Sequence, residues 1–200
     1  VPTVYAILLN LPDAERYDLS SLRFCVCGAA PMPVELFQNF EKKFKAFILE
    51  GYGLSEGTCV SSVNPLGGHR KIGSIGLPFP QQEMKVVDDQ DRALESGQVG
   101  EIVVRGENVM REYFKNPQAT LETLRGGWLH TGDLGYQDQE GYFFIVGRKK
   151  EMIIRGGENI YPKEIEEALY RHPKVLEAAV IGLPDQIWGE EVCAFIVLKE

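Results

Sequence analysis

An aspartate set among glycines, in Thr131-Gly132-Asp133-Leu134-Gly135, is followed by the cations of Gly147-Arg148-Lys149-Lys150 and then by the pair Gly156-Gly157. A carboxylate in such a turn can accept both hydroxyls of a vicinal diol such as a ribose, and arginine and lysine suit phosphate. The stretch 127–160 is therefore suited to a nucleotide; its alternative reading is a hairpin with a solvated basic end. A second set lies upstream, in Gly51-Tyr52-Gly53-Leu54-Ser55-Glu56. There the glycines permit close backbone approach to a ligand, and Ser55 can donate to a phosphate oxygen. Glu56 can serve magnesium, which takes one or two protein carboxylates and fills its other positions with phosphate and water. Taken singly, each set is ordinary: a turn in which Asp133 bonds its own backbone, a glycine-rich turn, a solvated basic face.

Composition narrows the classes. Two hundred residues, 44% hydrophobic and 25% charged, suffice for one or two globular domains. The net charge of -8 argues against a non-specific nucleic-acid binder, which needs a basic surface, and leaves small anionic ligands open. Cys25, Cys27, Cys59 and Cys193 are scattered and read as buried reduced thiols rather than a disulfide framework. His69, His130 and His172 lack the spacing of a zinc site. No signal peptide or membrane-length apolar run occurs in the sequence, and a cytoplasmic location is the expectation.

The elements that must position these residues begin with a short helix over 3–9 and an apolar strand over 22–27, expected to be buried on both faces of a parallel sheet. Gly28-Ala29-Ala30-Pro31 closes that strand. Apolar residues at Val34, Phe37, Phe40 and Phe44 then predict a helix over 33–44, and 46–50 is a second strand. Strand, small-residue turn, helix and strand make a parallel βαβ unit, whose ligands sit beyond the carboxyl ends of the strands. From Gly67 onward, short runs at 83–87 and 100–105, with turns between them, predict an antiparallel or barrel-like unit. A helix over 116–124 and a strand over 142–146 complete it. After Arg148 come a strand ending at Gly156, a helix over 162–172, and strands over 175–181 and 191–198. The chain is thus α/β, divided into 1–66, 67–147 and 148–200.

In their order and spacing these motifs resemble the adenylate-forming superfamily, which includes acyl-CoA synthetases, luciferases and the adenylation domains of peptide synthetases. GYGLSEGT, GEIVVRGENVMREYFKNP and GWLHTGDLGYQDQEGYFFIVGRKKEMIIRGGENIYPKEIEEAL carry the resemblance, which covers essentially the whole chain. VPTVYAILL, LRFCVCGAAPM and GGENIYP are most similar to long- or medium-chain fatty-acid CoA ligases.

The resemblance implies ATP, Mg2+ and CoA as partners in the chemistry and a role for each matching position. Gly28, Ala29 and Ala30 would line the adenine, with Tyr52 packed against it. Ser55 would contact phosphate and Glu56 hold the magnesium. Asp133 would accept from both ribose hydroxyls, and Arg148 would reach ribose or phosphate. Lys150 falls at the hinge about which the small C-terminal domain turns between adenylation and thioester formation. Gly157 would line the pantetheine tunnel, where a Cβ would narrow the passage, and Gly53 would border the acyl pocket. The superfamily's phosphate loop should precede Val1 and its catalytic lysine should follow Glu200, so an internal fragment, inactive alone, is expected. Relatives that activate aryl or amino acids for a carrier protein, and a non-catalytic nucleotide-binding module, are the alternatives. Chain length, oligomeric state and peripheral membrane contact stay open.

Overall fold

The structure is a computed structural model that describes residues 1–199. Helix α1 (Pro2–Leu9) opens on a proline, whose missing N–H costs nothing in a first turn. Its buried residue, Tyr5, donates its hydroxyl to the Val26 carbonyl at 2.7 Å. Strand β1 (Cys25–Cys27), helix α2 (Val34–Phe44) and strand β2 (Ile48–Tyr52) form the expected βαβ unit, with Cys27 opposite Glu50 in parallel register. α2 buries Phe37 and Phe40, and Tyr5 meets Phe40 edge-on at 4.8 Å between ring centroids. Two short antiparallel strands, β3 (Ser62–Val63) and β4 (Leu77–Pro78), extend the sheet in the order β1-β2-β3-β4.

The first strand departs from expectation. Only 25–27 pair, and Val26 is 59% exposed rather than buried on both faces. Tyr5, Phe37 and Phe40 cluster with Cys27 on one face of β1, Val26 points to the opposite face, and among the described residues β2 is the only strand beside β1.

Strands β5 (Glu83–Val87) and β6 (Gly100–Arg105) lead to helix α3 (Pro117–Thr123), which Asn116 caps by accepting from the Ala119 N–H at 3.2 Å. Strands β7 (Leu129–Gln137) and β8 (Phe143–Arg148) complete an antiparallel sheet ordered β5-β6-β7-β8. Among the described residues β8 does not pair back to β5, so the sheet is open. Its core gathers Met84, Val86, Ile102, Val104, Leu129 and Phe143. Tyr52 and Leu54 pack onto that cluster from the end of β2, and the Ile75 N–H donates to the Phe143 carbonyl at 2.9 Å, so the first two sheets meet where β2 ends.

Beyond a short turn at Lys149–Glu151 come β9 (Ile153–Arg155), β10 (Glu158–Ile160), helix α4 (Pro162–Tyr170), β11 (Val175–Asp185) and β12 (Gly189–Leu198). Their sheet runs β10-β9-β12-β11. β11 and β12 reach further than the sequence suggests, because the hairpin continues through Pro184 to pair Asp185 with Gly189. Pro184 is tolerated on an edge strand, where a missing N–H need not leave a neighbour unpaired. The Asp185 carboxylate closes the turn by accepting from the N–H groups of Ile187 and Trp188 at 2.8 and 2.7 Å. α4 is tied to the second sheet through Lys163, whose ammonium donates to the Ile145 carbonyl at 2.8 Å.

Among the described residues, no helix is long and apolar enough to cross a membrane. All four cysteines are free; Cys27 is buried as expected, whereas Cys59 is exposed.

Candidate functional site

A cleft of about 680 Å3 opens where the carboxyl end of β2 faces β7, β8 and α4. Ala29 to Pro31 form one wall, Glu50 to Leu54 the floor, and Asp133, Gly147, Arg148 and Lys150 another wall. This is the place a βαβ unit assigns to a ligand, beyond the ends of its strands.

Asp133 lies at the cleft, 9% exposed. Its Oδ2 accepts from the Tyr52 hydroxyl at 2.5 Å, and its Oδ1 lies 3.3 Å from Arg148 Nε. Arg148 is the direct cross-strand partner of Asp133 between β7 and β8, so register alone holds carboxylate and cation together. Burial pushes the Asp133 carboxyl above its usual range, against the opposing pull of the Tyr52 hydrogen bond and the Arg148 charge, with Glu151 adding to the rise. Burial and then the adjacent Asp133 carboxylate push the Tyr52 phenol well up, so it stays a donor. A carboxylate has about four lone-pair sites, so each Asp133 oxygen can accept a ligand hydroxyl beside its present partner.

Thr131-Gly132-Asp133 is not a chain-reversing turn, as its composition suggests, but a bulge within β7. Glu101 of β6 is paired with Leu134 and Val103 with His130, so three β7 residues stand opposite Ile102 alone. The Thr131 hydroxyl donates to the Ile102 carbonyl at 2.7 Å and accepts from the Asp133 N–H at 3.1 Å. Bulges re-aim side chains out of the regular alternation; this one presents Asp133 to the cleft.

Glu50, which composition and spacing did not single out, also lines the cleft. It is 5% exposed; its Oε1 accepts from the Met32 N–H at 3.3 Å, and among the described residues its Oε2 has no hydrogen-bond partner. Burial pushes this carboxyl up to about 7, against the Met32 hydrogen bond and the attraction of Lys163, with Glu167 adding to the rise. The available signal was a glutamate at the carboxyl end of the apolar run Phe47-Ile48-Leu49, where a buried strand has no reason to carry a charge.

The remaining candidates divide. Ala29, Ala30, Tyr52, Gly53, Asp133, Arg148 and Lys150 share the cleft, and Ala29 adopts φ +69°, a left-handed conformation that shapes the loop there. Gly28 sits beneath that loop, where a Cβ would come within 3.0 Å of the Gly51 carbonyl oxygen. A Cβ on Gly53 would come within 2.0 Å of the Cys59 carbonyl oxygen, so that glycine answers to backbone packing as well as to the cleft. Ser55 is exposed, in a short turn with Glu56. Glu56 lines a second cavity of about 300 Å3 behind the bulge, where its Oε1 accepts from the Tyr113 hydroxyl at 2.6 Å. Among the described residues no group of three or more His, Cys, Asp or Glu side chains could hold a metal ion. Gly157 lies in the β9–β10 turn, away from the cleft wall. A Cβ there would meet nothing within 4 Å, and its need for glycine comes from φ +89°.

A parallel βαβ unit with a cleft at its strand ends, walled by a buried aspartate, a paired arginine and an αL loop, defines a small-molecule-binding α/β protein of nucleotide-site type. The chain belongs to the AMP-binding enzyme family: that family's model matches residues 1–114, and the model of the AMP-binding enzyme C-terminal domain matches residues 164–200. It is 48% identical, over all 200 residues, to a long-chain-fatty-acid–CoA ligase of Bacillus subtilis, covering 36% of that protein. It is 47% identical to a sulfoacetate–CoA ligase of Cupriavidus necator, with all of this chain and 39% of the relative aligned. Among solved structures, ATP-bound MatB from Rhodopseudomonas palustris superposes with a TM-score of 0.93 at 37% identity, over 99% of this chain and 40% of that one. The chain thus spans little more than a third of the length of the curated relatives it matches.

Proposed function

We propose that the protein is part of an ATP-dependent acyl-CoA synthetase that activates a fatty acid. In the first half-reaction a carboxylate oxygen attacks the α-phosphorus of ATP, forming the acyl–phosphate bond as the bond to the bridging oxygen breaks and pyrophosphate leaves. In the second, the CoA thiolate attacks the acyl carbon, forming the C–S bond as AMP departs. The observation that carries this reading is the trio at the cleft: Asp133, bonded by Tyr52 and registered against Arg148, offers acceptors for a diol beside a cation for phosphate.

The other residues take supporting parts. The Ala29–Ala30 loop walls the cleft and would line the adenine. Ser55 would donate to phosphate. Magnesium would supply charge neutralisation, and Glu56, whose carboxylate accepts from the Tyr113 hydroxyl in the neighbouring cavity, would be its single protein carboxylate, completed by phosphate and water. Lys150 stands in the turn between β8 and β9, the boundary at which the β9–β12 sheet and α4 would swing to bring CoA and Gly157 to the adenylate. The long-chain ligase relative supports a fatty acid as substrate.

The test is a panel of carboxylic acids offered to the full-length protein with ATP, Mg2+ and CoA. Pyrophosphate and acyl-CoA are expected, with the highest kcat/KM for medium- and long-chain fatty acids. Preference for aryl or sulfonated acids, or transfer to a carrier protein in place of CoA, would overturn the substrate assignment. Absence of pyrophosphate with every acid would overturn the activity.

A further inference from the structure

We propose that Glu101 is a positioning residue for the nucleotide site: its carboxylate fixes the β7 bulge and thereby aims Asp133. The proposal rests on the function proposed above and names a residue outside the trio. A bulge removes backbone groups from the ladder, and a backbone N–H away from water needs another acceptor. The Asp133 N–H finds Thr131 Oγ1 at 3.1 Å, and the Gly132 N–H finds Glu101 Oε1 at 3.0 Å. Glu101 therefore stands in for the strand partner that the bulge displaced.

The carboxylate is itself held from its other side. Oε2 lies 3.3 Å from His130 Nδ1 and 3.5 Å from Arg125 Nη2, with Lys149 Nζ at 3.9 Å. Arg125 is anchored in turn by both oxygens of Asp91, each at 3.1 Å. Glu101 is 6% exposed, and its side chain lies between the bulge and a cation of the turn that follows β8. Gly132 adopts φ +73°, so its N–H direction is set by a backbone state that few residues share. A side chain that both accepts this N–H and is locked by neighbouring cations leaves the bulge little freedom to relax into alternatives.

The proposal separates two variants. Glu101→Ala removes the acceptor, whereas Glu101→Gln keeps an amide oxygen that can still take the Gly132 N–H. In the full-length protein, Glu101→Ala should raise the KM for ATP by ~10-fold or more while the KM values for acid and CoA and the kcat stay within ~2-fold, and Glu101→Gln should restore the ATP KM to within ~3-fold of wild type. Hydrogen exchange of the peptide spanning 129–135 should speed up in Glu101→Ala and not in Glu101→Gln. An ATP KM unchanged in Glu101→Ala would overturn the proposal. So would equal loss of kcat, all KM values and melting temperature in both variants, which would mark a merely structural residue. If wild type makes no acyl-adenylate, the proposed function fails separately; AMP binding by calorimetry then decides Glu101, with weaker binding only in Glu101→Ala supporting it and equal binding in all three proteins overturning it.

Discussion

Replacing Glu50 by glutamine should make the protein more stable near neutral pH and change little in acid. The carboxyl, carried up from 4.5 to about 7 by burial, keeps its proton in the folded state over a window in which the unfolded chain has lost it. Unfolding there releases a proton, so stability falls as pH rises. The contribution is fully present below about 4.5 and lost as pH climbs through about 7. At 1.36 kcal/mol per pH unit this window corresponds to about 3 kcal/mol, an upper figure for a side chain that retains one hydrogen bond and a distant cation. Glutamine mimics the protonated form and does not titrate, so subtracting its urea-unfolding free energy from that of wild type isolates the effect. Measured between about pH 4.5 and pH 8, that difference should decline by roughly 2 to 3 kcal/mol. A flat difference would refute the reasoning and imply that the Met32 N–H and Lys163 hold Glu50 ionised after all.

Three further outcomes follow from the geometry. Asp133→Ala, which removes the partner of Tyr52 and Arg148, should raise the ATP KM of the full-length enzyme by ~10-fold or more in the first half-reaction, as expected for one charge-assisted contact worth about 1.5 to 3 kcal/mol; an unchanged KM and adenylate yield would remove it from the site. Lys150→Pro, which fixes φ in the turn after β8, should spare adenylate formation and slow thioester formation, as read in separate half-reaction assays, and equal losses in both would argue against a pivot there. Gly53→Ala forces a Cβ to within 2.0 Å of the Cys59 carbonyl oxygen and should lower the melting temperature by an amount equivalent to roughly 1–3 kcal/mol, whereas an unshifted melt would mean that the 59–60 backbone yields freely.

What the sequence makes legible here is what local pattern determines. Val34, Phe37, Phe40 and Phe44 fall on one helical face, and α2 forms there; the βαβ unit and the antiparallel runs at 83–87 and 100–105 follow from similar periodicities. Local pattern does not specify neighbours. The apolar residues of 22–27 read as a strand buried on both faces, yet among the described residues β1 has one partner and leaves Val26 exposed; the strand read over 175–181 runs on through Pro184 to Asp185. The site shows the same division. Asp133 and Arg148 were identifiable by type and Tyr52 through the resemblance, and the fold brings them within hydrogen-bonding or ion-pairing distance across 81 positions of sequence between Tyr52 and Asp133. Glu101 was not identifiable, because its significance lies in a displaced ladder partner, which has no sequence period, and Glu50 left as its only signal a charge at the end of an apolar run.

The bulge that aims Asp133 carries one more consequence. Between Glu101–Leu134 and Val103–His130, β7 takes four steps while β6 takes two, so the excess is even. Because side chains alternate faces with a period of two, an even excess leaves every residue on either side of the bulge on the face it would occupy in an uninterrupted pairing with β6. An odd excess would have turned one half of β7 inside out. The sheet can therefore carry this departure as a removable cassette: excising Gly132 and Asp133 should restore an ordinary ladder with its core intact and take the carboxylate out of the cleft. Regular pairing and a carboxylate presented to the cleft are, at this point in the chain, alternatives separated by two residues.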